Sequence, residues 1–174
     1  MYCSTYTSPT GKITLASDGT YLCGLWHGNH RYMYKNMEQR DDMPIFNDTK
    51  MWLNKYYAGE RPSFKQLPLA PIGSGFRQAV WNILCEIPYG ETITYGDIAK
   101  IMAKKLGKAK MSAQAVGGAV GHNPISIIIP CHRVVGTNGS LTGYGGGIKI
   151  KTKLLEHEGA DMSRLFTPTK GTAL

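Results

Sequence analysis

Ser112-Ala113-Gln114-Ala115-Val116-Gly117-Gly118-Ala119-Val120-Gly121 is a helical stretch made almost wholly of small residues, and its reading organises the rest of the chain. A helix without bulky outward side chains can lie close to another surface, whether a neighbouring helix or an external partner; spacing alone weighs the two equally. Upstream, Thr94 is followed three residues later by Asp97, which resembles a capping box with Asp in place of Glu. It opens a helix carrying Ile98, Ile101 and Met102, and a loop rich in Lys and Gly joins that helix to the small-residue one. Two short helices joined by a turn, in the more basic half of the protein, suggest a helix-turn-helix.

Working outward, Phe76, Val80, Ile83 and Leu84 form the core face of a helix from about Phe76 to Ile87, stopped by Pro88 and Gly90. Before it, Pro62, Pro68, Pro71 and Gly73-Ser74-Gly75 mark a linker around 60 to 75. The leading part alternates like strands: Lys12 to Ser17, the Asp18-Gly19 turn signal, then Tyr21 to Trp26, a hairpin. Asn47 to Gly59 places Met51, Trp52, Leu53, Tyr56 and Tyr57 at helical spacing. The expected organisation is two domains, 1–72 and 73–174.

The chain has 174 residues, 42% hydrophobic and 18% charged, a globular balance. The longest apolar run, Ile125 to Ile129 broken by Ser126, is far below the roughly 18 residues that span a bilayer. The N-terminus lacks the form of a secretory signal, so a cytoplasmic location is expected, with Cys3, Cys23, Cys85 and Cys131 as thiols and the two Asn-X-Ser/Thr sequons as chance matches. The net charge is +8, of which +2 falls in residues 1–72 and +6 in 73–174. A basic surface favours polyanions such as nucleic acid. The densest stretch holds Lys100, Lys104, Lys105, Lys108 and Lys110, although a solvated helix face accounts for such a run equally well.

Ile125 to Ile129 also reads as a buried strand ended by Pro130, which puts Cys131 at its mouth. A cysteine is most often structural, but His132 and Arg133 follow directly, one a proton acceptor and the other a charge that favours a thiolate. Downstream, Glu156-His157-Glu158 ends a helix containing Leu154 and Leu155, and a carboxylate there could orient an imidazole as the third member of a Cys-His-acid relay.

Together, Asn123-Pro124, the apolar run, Pro130-Cys131-His132-Arg133-Val134-Val135, Tyr144-Gly145-Gly146-Gly147 and Leu154-Leu155-Glu156-His157-Glu158-Gly159 resemble the methylated-DNA-protein cysteine S-methyltransferases, the O6-alkylguanine-DNA alkyltransferases. The match runs in order from about Phe76 to Gly159, and Ser8-Pro9-Thr10-Gly11-Lys12 with its strands looks like the more variable leading domain. The resemblance implies an α/β protein: a small N-terminal α/β domain of ribonuclease-H-like type with an antiparallel sheet, then a mainly helical winged helix-turn-helix domain carrying the cysteine.

It also implies a single-use repair protein that moves an alkyl group from O6 of guanine, and less efficiently from O4 of thymine, to Cys131. On this carry-over His132 deprotonates Cys131 through a water, Glu158 holds His132, Asn123 braces the turn before the cysteine, and Tyr95 assists the leaving base. Val134, Tyr144 and Gly145 line the base pocket. The partner is double-stranded DNA, with the target nucleotide rotated out of the stack. Gln114, Ala115, Gly118 and Ala119 on the second helix, with Lys104, Lys105 and Arg133, are the expected DNA contacts. One departure stands out: the family usually has an arginine where this chain has Gln114, which cannot stack as a guanidinium. The basic stretch Leu106 to Met111 also looks longer than the usual turn.

Some members of the family carry zinc in the leading domain, and Cys3, Cys23, His27 and His30 are the residues that could do so here. Their spacing does not match a strong zinc pattern, so no metal and no cofactor are expected. A lesion-binding protein without transfer activity would lack the cysteine, a winged-helix regulator would need base-reading side chains that the Ala/Gly helix does not offer, and a cysteine hydrolase would turn over many times. A monomeric alkyltransferase without membrane association is the reading that remains.

Overall fold

The computed structural model describes residues 1–169, which group into two compact units: Met1–Ile72 together with Pro124–Ile128, and Gly73–Asn123 together with the chain from Ile129 onward. The first unit is thus built from two separate stretches of sequence.

Its sheet has the order β3-β2-β1-β4, formed by β1 (Tyr2–Ser8), β2 (Gly11–Ser17), β3 (Leu22–His27) and β4 (Glu38–Gln39). The expected Lys12–Trp26 hairpin is the antiparallel β2–β3 pair, while β1 lies on the other side of β2 and takes β4 in parallel. β1 and β2 meet at Ser8 and Gly11. There the Ser8 hydroxyl accepts from the Thr10 N–H at 3.1 Å and donates to the Gly11 carbonyl at 2.7 Å, so the turn supplies its own polar partners. Ile13, Leu15, Leu22, Leu25 and Trp26 are fully buried. Helix α1 (Pro44–Tyr57) covers this core with Ile45, Phe46, Thr49, Trp52, Leu53 and Tyr56. It begins three residues before the expected Asn47, because Pro44 sits at the first helical position, where its missing N–H costs nothing. Met51, expected on the apolar face, is 56% exposed.

The second unit contains α2 (Gly75–Cys85), β5 (Ile93–Thr94), α3 (Tyr95–Lys105), α4 (Ala113–Gly121), β6 (Val134–Val135) and α5 (Ile148–His157). Hydroxyl caps open three of the helices: Ser74 accepts from Arg77 N–H, Thr94 from Asp97 N–H and Ser112 from Ala115 N–H, each cap stabilising by about 1 kcal/mol. Thr94 also donates its hydroxyl to the Asp97 carboxylate at 2.7 Å, tying the two side chains together. Helices α2, α3 and α4 pack together, and the Trp81 indole N–H donates to the Ala119 carbonyl at 2.9 Å. The parallel pair β5–β6 aligns Ile93 with Val134 and Thr94 with Val135, which brings the start of α3 beside the segment that follows Cys131.

The buried strand expected over Ile125 to Ile129 is not formed. Ile125 makes an isolated bridge to Leu25, whose N–H donates to the Pro124 carbonyl and whose carbonyl accepts from Ser126. The chain then closes tight turns, with Ile128 N–H donating to the Ser126 carbonyl and Cys131 N–H to the Ile129 carbonyl. Ile127 sits at φ +69, a conformation that costs a β-branched residue about 1–3 kcal/mol. Burial explains the apolar run without a strand, since Ile127, Ile128 and Ile129 are at most 3% exposed. Pro124 and Pro130 remove ladder donors at both ends.

Candidate active site

Cys131 opens a short 3-10 helix, Cys131–Arg133, and is buried at 6% exposure. The turn leading to it is tied by Asn123, whose side-chain amide donates to the Ile129 carbonyl at 2.8 Å. His132 is sealed from solvent, and its Nε2 lies 2.8 Å from Glu158 Oε1. A carboxylate only accepts, so Nε2 carries the hydrogen and the lone pair is on Nδ1, which is buried and has no hydrogen-bond partner among the described residues.

Glu158 caps the C-terminus of α5, where the helix carbonyls already gather negative charge. Burial alone would push its carboxyl up, but His132 and Arg133 outweigh that and hold it well below the ordinary carboxylate range. Arg133 donates through Nε to Oε2 at 2.8 Å and through Nη2 to Oε1 at 3.0 Å. Its Nη1 donates to the Ile87 carbonyl at 2.6 Å. With Glu158 charged by Arg133, burial keeps His132 below its usual value and therefore neutral near pH 7.

A second group of bonds joins three segments. The Tyr95 hydroxyl donates to the Thr142 and Gly143 carbonyls, each at 3.2 Å, and burial pushes its pKa far above the phenol range. Gly143 is at φ +76, and a Cβ there would stand 2.7 Å from the Tyr95 oxygen. Lys151, fully buried, donates to the Val134 carbonyl at 2.5 Å and to the Thr142 carbonyl at 2.8 Å. Burial lowers its pKa to about 8 against the opposing pull of Cys131. The Tyr144 ring meets His132 edge-on at 6.5 Å between centroids.

A cysteine next in sequence to a neutral imidazole that is itself held by a buried carboxylate is an arrangement that can supply a nucleophile, its base and an orienting group. Comparison with known proteins gives this chemistry a family. Residues 75–160 match the model described as 6-O-methylguanine DNA methyltransferase, DNA binding domain, and residues 1–71 match its ribonuclease-like domain. The chain belongs to the 6-O-methylguanine DNA methyltransferase family. It is 46% identical to a methylated-DNA–protein-cysteine methyltransferase of Methanosarcina acetivorans over 92% of this chain and 99% of that one. Against the Haemophilus influenzae protein of the same name the identity is 40%, over 91% and 86%. The crystal structure of Mycobacterium tuberculosis OGT in complex with DNA superposes with a TM-score of 0.78 at 43% identity, covering 95% of each chain.

In this methyltransferase, Cys131, His132, Glu158, Asn123, Tyr95, Val134 and Tyr144 all fall in the second unit; Gly145 lies nearby in sequence and is exposed. Gln114, Ala115 and Gly118 are all exposed on α4, and Lys104 and Lys105 are exposed on the last turn of α3. Two residues expected at a DNA surface are elsewhere: Ala119 is 3% exposed with its carbonyl taken by Trp81, and Arg133 is 9% exposed with its nitrogens taken by Glu158 and Ile87. Among the described residues no group of three or more His, Cys, Asp or Glu side chains is arranged to hold a metal. His27 bonds to Thr10 at 2.9 Å, Cys3 to Gln39 at 3.5 Å and Cys23 to the Tyr21 carbonyl at 3.6 Å.

Sequence reasoning missed Lys151. The signal was present, because Lys151 lies three and four residues before Leu154 and Leu155 and so on their buried helix face. The Ile87 and Thr142 carbonyls carried no signal, since a main-chain acceptor is common to every residue.

Proposed function

We propose that this methyltransferase takes an alkyl group from O6 of guanine in duplex DNA onto Sγ of its own Cys131, once per chain. The observation that carries this is the His132–Glu158 contact, with the imidazole lone pair on a buried Nδ1 beside the cysteine in sequence. His132 takes the thiol proton through a water, and Glu158 stabilises the imidazolium that forms. Sγ then attacks the alkyl carbon in line, the carbon–O6 bond breaks, and its electron pair passes into the guanine, which regains a proton. Tyr95, kept protonated by burial, turns its hydroxyl from the Thr142 and Gly143 carbonyls to the base and donates to it as charge develops there. Asn123 holds the turn that presents Cys131, and Val134, Tyr144 and Gly145 line the space for the base. The thioether formed has no leaving group, so the reaction stops at one equivalent.

Residues 73–174 act in this reading as the DNA-binding and transfer domain, and 1–72 as a ribonuclease-H-like leading domain. The target atom is inside the duplex, so the nucleotide is rotated out at a cost of a few kcal/mol. Helix α4 enters the minor groove with Gln114, Ala115 and Gly118 foremost, while Lys104 and Lys105 neutralise phosphates. The support is local: a Cβ added at Gly118 would meet nothing within 4 Å, so packing inside the chain does not require the glycine. O4-alkylthymine is a slower substrate. The protein acts as a monomer, since the whole relay comes from one chain. It works in the cytoplasm, where a cysteine that must remain reduced is protected; none of the four cysteines is in a disulfide.

The test is the DNA product. A duplex with one O6-methylguanine in a methylation-blocked restriction site should become cleavable in proportion to protein added, one duplex per chain. Cleavability that continues to rise beyond one equivalent would favour a multiple-turnover enzyme instead.

A further inference from the structure

His132 and Arg133 are neighbours in the chain and reach Glu158 from the same short helix. A third donor comes from a separate segment: the Gly90 N–H donates to Glu158 Oε2 at 3.1 Å. Gly90 is the third residue of a turn in which Glu91 N–H donates to the Pro88 carbonyl, and its φ of +79 is open to glycine at little cost. Space is equally restrictive, because a Cβ at Gly90 would stand 2.7 Å from the main-chain oxygen of Glu158. The same segment grips Arg133, through the Ile87 carbonyl at 2.6 Å and the Tyr89 ring, whose centroid is 5.6 Å from the guanidinium carbon.

These contacts divide the carboxylate. Arg133 can pair with both oxygens of Glu158, and by itself it sets no preference for which oxygen faces the imidazole. The Gly90 N–H draws on Oε2 from the turn side, which leaves Oε1 to His132. A buried carboxylate at a helix C-terminus, repelled by the helix carbonyls, depends on such donors for its place.

We propose that Gly90 is a positioning residue of the transfer reaction: its N–H and its close approach to Glu158 fix the carboxylate in the orientation that holds His132 Nε2. The inference rests on the proposed role of Cys131 and His132, and the experiment separates the two.

Single-turnover methyl transfer from an O6-methylguanine duplex is measured for the wild-type chain, Gly90→Ala, Glu158→Gln and the double variant, each from pH 5.5 to 9. Gly90→Ala should be slower by on the order of tenfold to a hundredfold, the scale of a small misplacement of a reacting group. Its rate–pH midpoint should move down, since the imidazole loses part of the anion that favours its protonated form. Gly90→Ala should cost nothing more in the Glu158→Gln background. Wild-type rate and midpoint in Gly90→Ala, or a full additional loss in the double variant, would overturn the inference. A wild-type chain that transfers nothing would instead overturn the reading beneath it. Should Gly90→Ala not fold, hydrogen exchange at the Gly90 amide decides: it should be faster in Glu158→Gln than in the wild type, and equal exchange would refute the bond's importance.

Discussion

His132 Nε2 and Glu158 Oε1 lie 2.8 Å apart with both side chains out of contact with solvent, so neither can change charge without the other responding. Arg133 completes the group, and removing the carboxylate's charge would leave a guanidinium buried without its anion. Glu158→Gln should therefore cost about 3–5 kcal/mol of stability at pH 7, the scale for breaking a buried pair from one side. The sign of the pH dependence follows from the lowered Glu158 pKa. Its contribution is fully present above the ordinary glutamate value of about 4.3 and is lost as pH falls through the lower folded value. Urea unfolding should show the gap between wild type and Glu158→Gln wide at pH 7 and narrowing below about pH 4. A gap independent of pH would refute an anionic Glu158. His132, lowered by burial, works in the same direction in both proteins, losing stability as pH falls below about 6.5.

Gly118 separates packing from partner contact. A methyl group added to it on α4 would have no heavy atom within 4 Å, so the fold should accept a side chain there. Gly118→Ala should raise stability by about 0.5–1 kcal/mol through helix propensity, and Gly118→Leu should fold normally. Gly118→Leu should nonetheless weaken binding to duplex DNA and slow transfer in DNA, while leaving alkylation of Cys131 by free O6-benzylguanine unchanged. A leucine variant that binds duplex as the wild type does would remove α4 from the interface.

Lys151 is a buried cation that donates to two carbonyls, and its lowered pKa makes it a stability sensor at alkaline pH. Folded Lys151 releases its proton near pH 8 and the unfolded side chain near 10.4, so between these values the unfolded state holds more protons. Stability from this group is present above the upper value and lost as pH falls through the lower one. The stability of wild type relative to Lys151→Met should therefore climb between about pH 8 and 10, by at most about 1.4 kcal/mol per pH unit. A flat difference would mean that Lys151 keeps its proton throughout.

How much of this was legible in the sequence depends on whether the signal was local. The cap at Thr94 could be read, because a hydroxyl three residues before its donor N–H acts within one turn, and so could the small-residue helix that starts near Ser112. The Cys131-His132-Arg133 string could be read as a nucleophile with a base, and Glu158 as a candidate partner. Their contact could not, since it depends on α5 bringing Glu158 back across 26 positions. The apolar run before Cys131 was read as a strand because burial and strand formation leave the same pattern over so few residues. β1 went unread because its fully buried residue, Ser4, is polar and its outward Thr5 and Thr7 leave little contrast between the two faces. Arg133 was expected at the DNA surface and Lys151 was passed over for the same reason: sequence shows a charge but not the carbonyls and carboxylate that let it be buried.

The central claim is that Cys131 is consumed. Intact-protein mass spectrometry after incubation with an excess of O6-methylguanine duplex, beside a Cys131→Ser control, tests it most directly. The expected result is a gain of one methyl, about 14 Da, saturating at one per chain and absent from the control. Repair of the duplex without any gain in protein mass, or an equal gain in Cys131→Ser, would contradict it.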